Sequence, residues 1–537
     1  MIVVVGLLSA GASIYVQAQF GETRSRRAST ERSSKNTELN GELVVYPNPQ
    51  AGFICGPQLK ANSRLNPFPW FDATEIRYGH VLGKEMPSVA PRVLTGIVSA
   101  SPNSSILIGK GTRFLSELDP SGSAPFYNGW LRVLDGAAYR EVRVISVQSD
   151  TQLTLSSPWS FAPIRSAKAD TYHQDAARGW NYDRYYDSSY YDLALTEYIA
   201  FYRTEDPAFL SYGRKMADAL WRSPYIDFGT ITQGPNHLPP RSQAFAGLML
   251  RALDGKPEYW DYLYRDVRAT FDNWVKQRRN NAGLYYDIRE DGYAQLYAVL
   301  LARVLPNQYP LFANGTSLIQ TGVATDGASK RAVLLADAED AAVNFFGRLQ
   351  QADGSWRFNV ESEQIVNIEQ PFMTGLYLES VVLLHQLTAT AAVKTRLQDQ
   401  ITRACRHLYR DTYRGTEVVK DMPQYRWRGM FYFWGGGTKS DPTAYVNGRG
   451  AMATEGNSGM IQQVRHLNST VHHAFGYAYA ITGDEQYLKM GDEVFDASYG
   501  ERVDGIHCLA NDGRGKDYAM NFRASGRYLA WRLSGSR

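Results

Sequence analysis

Carboxylates, histidines, arginines and tyrosines collect in five stretches of this sequence that lack apolar periodicity. GWNYDRYYDSSYYD carries Tyr182, Asp183, Tyr186, Asp187, Tyr190 and Asp192; GPNHLPPRSQ carries Asn236, His237 and Arg241. GLYYDIREDGYAQ adds Tyr286, Asp287, Arg289, Glu290 and Asp291, and NIEQPFMTG adds Glu369 and Gln370. EGNSGMIQQVRHLNSTVHHAF closes the set with Asn468, His472 and His473. Two carboxyl groups on opposite sides of a bond, one an acid and one a base or nucleophile, are what hydrolysis of a glycosidic bond requires. Asp287 is the first candidate, because flanking aromatics such as Tyr286 can desolvate a carboxyl and move it toward an acid's working range. Glu369 is the candidate partner. Pro371 suits the first turn of a helix, which leaves Glu369 and Gln370 at the positive end of its dipole. A plain helix-capping role is the alternative for Glu369. Asp187 and Asp183 compete for the second catalytic role, Asp291 is read as a helix cap, and salt bridges to Arg184 or Arg289 are the structural alternative for these acids.

These stretches need elements to hold them. From about Asp187 onward two kinds of segment alternate. YYDLALTEYIAFY, QAFAGLMLRAL, YAQLYAVLLARVL, FMTGLYLESVVLL and VHHAFGYAYAIT are apolar and rich in small residues. DPAFLSYGRKMADALW, PEYWDYLYRDVRATFDNWV, KRAVLLADAEDAAVNFFGRL, AAVKTRLQDQITRACRHLY and DEQYLKMGDEVFDASYG are amphipathic and charged. A helix that is apolar all round must be covered on all sides, whereas one with a single apolar stripe lies on the surface. The two kinds pair as hairpins through turns such as RTED, LDGK and TGDE. A mainly α fold follows, an (α/α) toroid of about five to six helical hairpins, with one further helix expected in GKDYAMNFRASGRYLAWR. The long loops into the inner helices are then the ones that converge on a site. An open helical solenoid is the other arrangement that fits.

On the phrases TGDEQYL, DGSWRF, QPFMTGLYLES and GKDYAMNFRASGRYLAWR, the chain from about Asp170 to Arg537 resembles the α/α-toroid, six-hairpin carbohydrate-active enzymes. That resemblance implies a poly- or oligosaccharide substrate and a glycoside hydrolase or a polysaccharide lyase. The lyases of that fold remove a proton beside a uronic carboxylate with His and Tyr, and neutralise the carboxylate with Asn or Arg. The resemblance therefore adds His472 and Tyr286 as catalytic candidates. Substrate-binding candidates are Tyr182, Tyr186, Tyr190, Asn236, His237, Arg241, Glu290, Gln370, Asn468 and His473. His472 and His473 point about 100° apart on a helix, so at most one faces a pocket. A non-catalytic glycan-binding or surface-assembly protein is the reading from a different class.

Residues 94–165 change period. Short β-branched runs separated by Asn-Ser, Gly-Lys-Gly and Asp-Gly turns read as strands, and EVRVISV and QLTLS alternate as half-buried strands do. With GKGTRF and VQSDTQLTL this stretch resembles the small β modules of phage structural proteins and secreted enzymes.

Composition sets limits. The chain has 537 residues, a net charge of +3 and 35 tyrosines. So small a net charge gives no footprint for nucleic acid or an anionic membrane. Tyrosines in loops suit ligands with both polar and apolar faces, such as sugars. No HxxxH helix or paired Cys motif is present, so neither metal nor cofactor is expected. Three cysteines, Cys55, Cys405 and Cys508, make no disulfide scaffold; pairing of Cys55 with Cys508 stays open. Residues 1–18 read as a signal peptide lacking its basic region, or as an uncleaved membrane anchor near the minimum spanning length of about 17 residues. A secreted or periplasmic protein is expected. Residues 19–41 read as a flexible linker, 42–93 as a segment packing on the toroid, and 166–537 as the toroid itself.

Overall fold

The computed structural model describes residues 41–85, 93–118, 129–135, 138–170, 190–220, 240–280, 287–313, 317–319, 326–360, 365–414, 429–430, 434–435, 437–438, 468–498, 500–501, 507–508 and 515–534. The expected signal peptide and nearly all of the linker lie outside them. No helix among the described residues is long and apolar enough to cross a membrane.

The described residues begin with helices α1 (Pro49–Cys55) and α2 (Pro69–Glu85). Six strands follow: β1 (Ile97–Ala100), β2 (Ile106–Lys110), β3 (Gly129–Asp135), β4 (Ala138–Ser149), β5 (Gln152–Leu155) and β6 (Ile164–Asp170). They close into an antiparallel barrel in the order β1-β2-β5-β4-β3-β6. The alternation seen in the sequence supplies its core, with Val98, Leu107, Leu131, Val133, Val144 and Leu153 inside. The short helix α3 (Phe114–Leu118) plugs that core with Phe114 and Leu118. The barrel runs five residues past the expected end at 165, because Asp170 closes the last strand by taking both guanidinium arms of Arg132, at 2.8 and 2.7 Å.

The rest is mainly helical, with short strand pairs between the helices: α4 (Leu193–Thr204), α5 (Pro207–Leu220), α6 (Phe245–Leu253), α7 (Tyr259–Phe271), α8 (Ile288–Val304), α9 (Gly327–Ala341), α10 (Pro371–Leu387), α11 (Ala391–His407), α12 (His472–Thr482), α13 (Glu485–Ser498), α14 (Gly515–Phe522) and α15 (Gly526–Trp531). The mainly α class with a small β module is therefore observed. The expected single final helix is two, α14 and α15, separated at residues 523–525. The pairs α4–α5, α6–α7, α8–α9, α10–α11 and α12–α13 pack as hairpins.

Burial sorts the helices as their sequences demand. In α10 every residue from Pro371 to Leu384 is buried; in α8 only Arg289 and Arg303 are not. Each large aliphatic side chain covered there contributes about 1.5–3 kcal/mol. By contrast, α11 buries one stripe, Leu397, Gln400, Ile401, Ala404, Cys405 and His407. The well-covered helices touch in series: α4 with α6, α6 with α8, α8 with α10, α10 with α12, α12 with α15, and α14 with α4. α2, unrecognised as a helix in the sequence, packs against α4, α5 and α14. Three outer helices, α7, α9 and α11, run into a wider π turn at Asp272–Lys276, Ala342–Phe346 and Leu408–Thr412.

The N-terminal ends of the inner helices are laced together. Tyr191 N–H donates to the Arg241 carbonyl at 3.0 Å, and Gly247 N–H donates to Asp192 at 2.9 Å. Thr470 donates to the Phe372 carbonyl at 3.0 Å, and Ser525 to that of Ser469 at 3.1 Å. Residues 42–61 bind at other points. Arg203, in the last turn of α4, donates to the Leu59 carbonyl at 2.9 Å; Arg527 donates to the Cys55 and Ile54 carbonyls, each at 2.8 Å. Cys55 is a free, buried thiol, so the Cys55–Cys508 pairing left open above is not present.

Candidate functional site

Five residues from three separate loop ends meet where α4, α6 and α8 begin. Tyr190 precedes α4, Arg241 precedes α6, and Asp287, Arg289 and Glu290 start α8. Asp287 has an extended backbone and caps α8, accepting from the N–H groups of Arg289 at 3.0 Å and Glu290 at 3.4 Å. A carboxylate in that position satisfies donors the helix cannot. This reverses one expectation: Asp287, not Asp291, is the cap. Asp291 lies one turn in, wholly buried and 3.2 Å from Arg278. Burial pushes its carboxyl well up, against the pull of Arg278.

Glu290 is the hub. It takes the Arg241 guanidinium and the Arg241 backbone N–H, the latter at 3.1 Å, and it accepts from Arg289 Nε at 2.9 Å. Arg289 also donates to the Tyr190 hydroxyl at 3.2 Å and stands 3.7 Å from the second Asp287 oxygen. The Arg241 guanidinium lies over the Tyr190 ring, 4.8 Å from its centre, a cation–π contact. Burial pulls Arg289 down, but Glu290, Asp287 and Tyr190 outweigh it and hold the guanidinium above its ordinary value. Two guanidinium forks are thus balanced by two carboxylates, and the Arg241, Arg289 and Asp287 side chains keep 16%, 17% and 13% of their surface open. Forks of this kind read planar anionic groups, carboxylates accept from hydroxyls, and an aromatic ring offers a face.

The backbone beneath this cluster is strained. Tyr191, Asp192 and Ala244 all have φ between 51° and 67°, a left-handed region that costs a non-glycine residue energy. Asp192 holds the strained corner, its wholly buried carboxylate accepting from Leu195 N–H at 3.0 Å as well as from Gly247.

Glu369 belongs to a different network. It has no exposed surface. One oxygen accepts from Thr374 at 2.5 Å, the other meets His407 Nε2 at 2.5 Å, and His407 Nδ1 faces Asp411 at 2.9 Å. Burial pulls His407 down; Glu369 and Asp411 overcome it and raise the imidazole to about 9. The Glu369 backbone exchanges two hydrogen bonds with Trp434, at 2.9 and 2.8 Å. Trp434 in turn lies between the His407 edge, 4.6 Å away, and Arg357, 4.8 Å away. Both Glu369 oxygens are committed to the wall between α10 and α11. Pro371 does open α10 and Gln370 stands at its cap position, as the sequence indicates, although the Gln370 side chain makes no capping bond.

The α12 start is also buried. Asn468 accepts from Met430 N–H at 2.9 Å and so anchors the strand Gly429–Met430. His472 turns outward: Nε2 is 2.5 Å from Ser498 Oγ of α13 and its ring packs on Phe495, 4.5 Å between centres. Burial lowers His472 to about 3, and lowers His473 well below its ordinary range with Arg527 and Arg523 adding to the effect. Among the described candidates, Tyr190, Arg241, Asp287 and Glu290 come together, whereas these contacts tie Glu369, Asn468 and His472 elsewhere; Gln370 and His473 are buried at the starts of α10 and α12. Asp187, Tyr286, Tyr182, Tyr186, Asn236 and His237 lie outside the described residues.

Arg289 emerges as a bridging residue that the sequence left as a plain salt-bridge partner. His407 was not singled out, yet a signal existed. It sits on the single buried stripe of α11, and a polar group placed there must find a partner. Among the described residues no group of three or more His, Cys, Asp or Glu side chains is placed to hold a metal ion. Comparison with protein-family models, with curated proteins and with solved structures gives no match for this chain.

Proposed function

We propose that the protein is a carbohydrate-active enzyme whose hairpins close into an (α/α) toroid, and that it hydrolyses glycosidic bonds of a poly- or oligosaccharide over the N-terminal ends of the inner helices. The serial contacts of the inner helices, with α14 returning to α4, support the toroid. The observation that carries the site is the joining of Tyr190, Arg241, Asp287, Arg289 and Glu290 into one network from three loop ends. In this reading Asp287 is the reacting carboxylate, Glu290 holds the two arginines in place, and the arginines and Tyr190 bind the sugar. The second carboxylate is assigned to Asp187, three positions before Tyr190 in the chain. The N-terminal residues serve export to the periplasm or the medium.

A lyase is the second reading, favoured by one observation: Arg289 joins the Tyr190 hydroxyl to the Glu290–Arg241 pair, an array able to neutralise a uronic carboxylate beside a phenol. A panel of neutral and acidic glycans separates the readings. A hydrolase yields new reducing ends alone; a lyase adds the ultraviolet absorbance of an unsaturated uronic product. A glycan binder yields neither but melts at a higher temperature with its ligand. Asn caps helices as well as Asp, so Asp287→Asn is expected to keep the fold while lowering hydrolysis by about 10²–10⁴-fold. Full activity in that variant would remove Asp287 from the mechanism; no product and no melting shift across the panel would sink the proposal.

A further inference from the structure

Two carboxylates meet one guanidinium where α2 docks on the inner helices, and a third carboxylate is buried close by. Arg203 of α4 pairs with Asp72 and Glu75 of α2, and none of the three side chains is more than 1% exposed. Six residues earlier on α4, Glu197 is wholly buried, and neither of its carboxylate oxygens has a hydrogen-bond partner. The Glu75 oxygen turned away from Arg203 and the Tyr518 hydroxyl of α14 are buried and unpartnered too. The packing around them is close: a Cβ added at Gly79 of α2 would lie 2.5 Å from both the Tyr518 hydroxyl and Phe209 of α5.

The titratable groups facing Glu197 are Glu75 from α2, Tyr212 from α5 and Tyr518 from α14. Arg203 is taken up by Asp72 and Glu75. Farther along α2, Arg77 is exposed and His80 pairs with Asp206 at 3.1 Å on the rim. The side chains of His507 and Cys508, on a strand touching α2, lie outside the described residues. With every acid ionised, the seam would bury negative charge that Arg203 alone cannot balance. Proteins avoid that cost by keeping a proton.

We propose that the seam between α2 and α4 is a proton-linked latch: Glu197 holds a proton while α2 is docked, and losing that proton loosens α2 from the inner helices. Burial pushes the Glu197 carboxyl well up, with Glu75 adding to the effect. Burial likewise raises Glu75 to about 7, against the pull of Arg203. Both groups bind a proton more tightly in the folded chain than in the unfolded one. The stabilisation from each is therefore complete below the ordinary value of 4.5; that of Glu75 is lost as pH rises through about 7, and that of Glu197 as pH rises through its own raised value. Docking is firm in acid and weak in mild alkali.

Hydrogen–deuterium exchange of the full chain, read on peptides from residues 69–85 and corrected for the intrinsic pH dependence of exchange, tests the latch. Protection of α2 should fall at least about tenfold between a mildly acidic and a mildly alkaline buffer, the population change that one pKa unit carries. Glu197→Gln, which mimics the protonated acid, should leave only the smaller loss that Glu75 contributes. Wild-type protection that does not change with pH overturns the proposal whether or not the variant folds. A variant that loses protection as the wild type does overturns it equally.

Discussion

Asp287 and Glu369 carry the same carboxylate and both stand where an inner helix begins, but their neighbours give them different work. Asp287 spends one oxygen on backbone donors and keeps part of its side chain open. Glu369 is sealed against Thr374 and His407. Removing one partner of a buried ion pair leaves the other uncompensated, at about 3–5 kcal/mol. Glu369→Gln is expected to cost that much in urea unfolding at neutral pH. The pair also makes stability depend on pH. His407 is raised to about 9 from an ordinary value of 6.5, so its stabilisation is complete below pH 6.5 and fades as pH rises through about 9. Urea midpoints across that window should fall in the wild type more steeply than in Glu369→Gln. Parallel slopes would show that His407 carries no charge in the fold.

At the scale of elements, close approach decides where the helices sit. Gly375 in α10 faces the start of α12; an added Cβ would lie 2.5 Å from Val471 Cγ1 and 2.7 Å from the Thr470 carbonyl. The carbonyl cannot move aside, so Gly375→Ala is expected to cost about 1–3 kcal/mol by overpacking, read as a lower melting temperature. An unchanged melt would mean that α10 and α12 slide apart freely. Helix α2 shows how an element escapes detection. Its buried face includes Asp72, Glu75, Gly79 and Gly83, recurring at three- and four-residue steps but polar or small, whereas Val81 is 48% exposed. Apolar periodicity marks a helix that docks through hydrocarbon; α2 docks through Trp70 and Phe71 at its start, and beyond them adds a buried ion pair and close approach at its glycines. The break between α14 and α15 has a comparable cause. Arg523 at its start and Arg527 just past it both reach the buried Glu379 of α10.

For the whole molecule, two apolar cores stand apart, one in the barrel and one shared by the helices. The barrel enters on β1 and leaves on β6, which are paired neighbours, so it interrupts the chain without separating what flanks it. Residues 93–170 produced alone should give a strand-rich far-ultraviolet spectrum and a cooperative melt; a disordered spectrum would tie the barrel's stability to the helices. Much of this layout was legible beforehand. Inner and outer helices, hairpin pairing, Pro371 at the start of α10 and the β module all follow from local alternation of apolar and polar residues, because burial is repaid residue by residue along a segment. The site was legible only in part. The five stretches were found, but only tertiary structure sorted their residues, drawing Arg241, Asp287, Glu290 and Tyr190 into one network and turning Glu369 toward His407 and His472 toward Ser498. Those pairings join residues far apart in sequence. A charge takes its meaning from whichever distant partner the packing brings to it, and no local pattern records that choice.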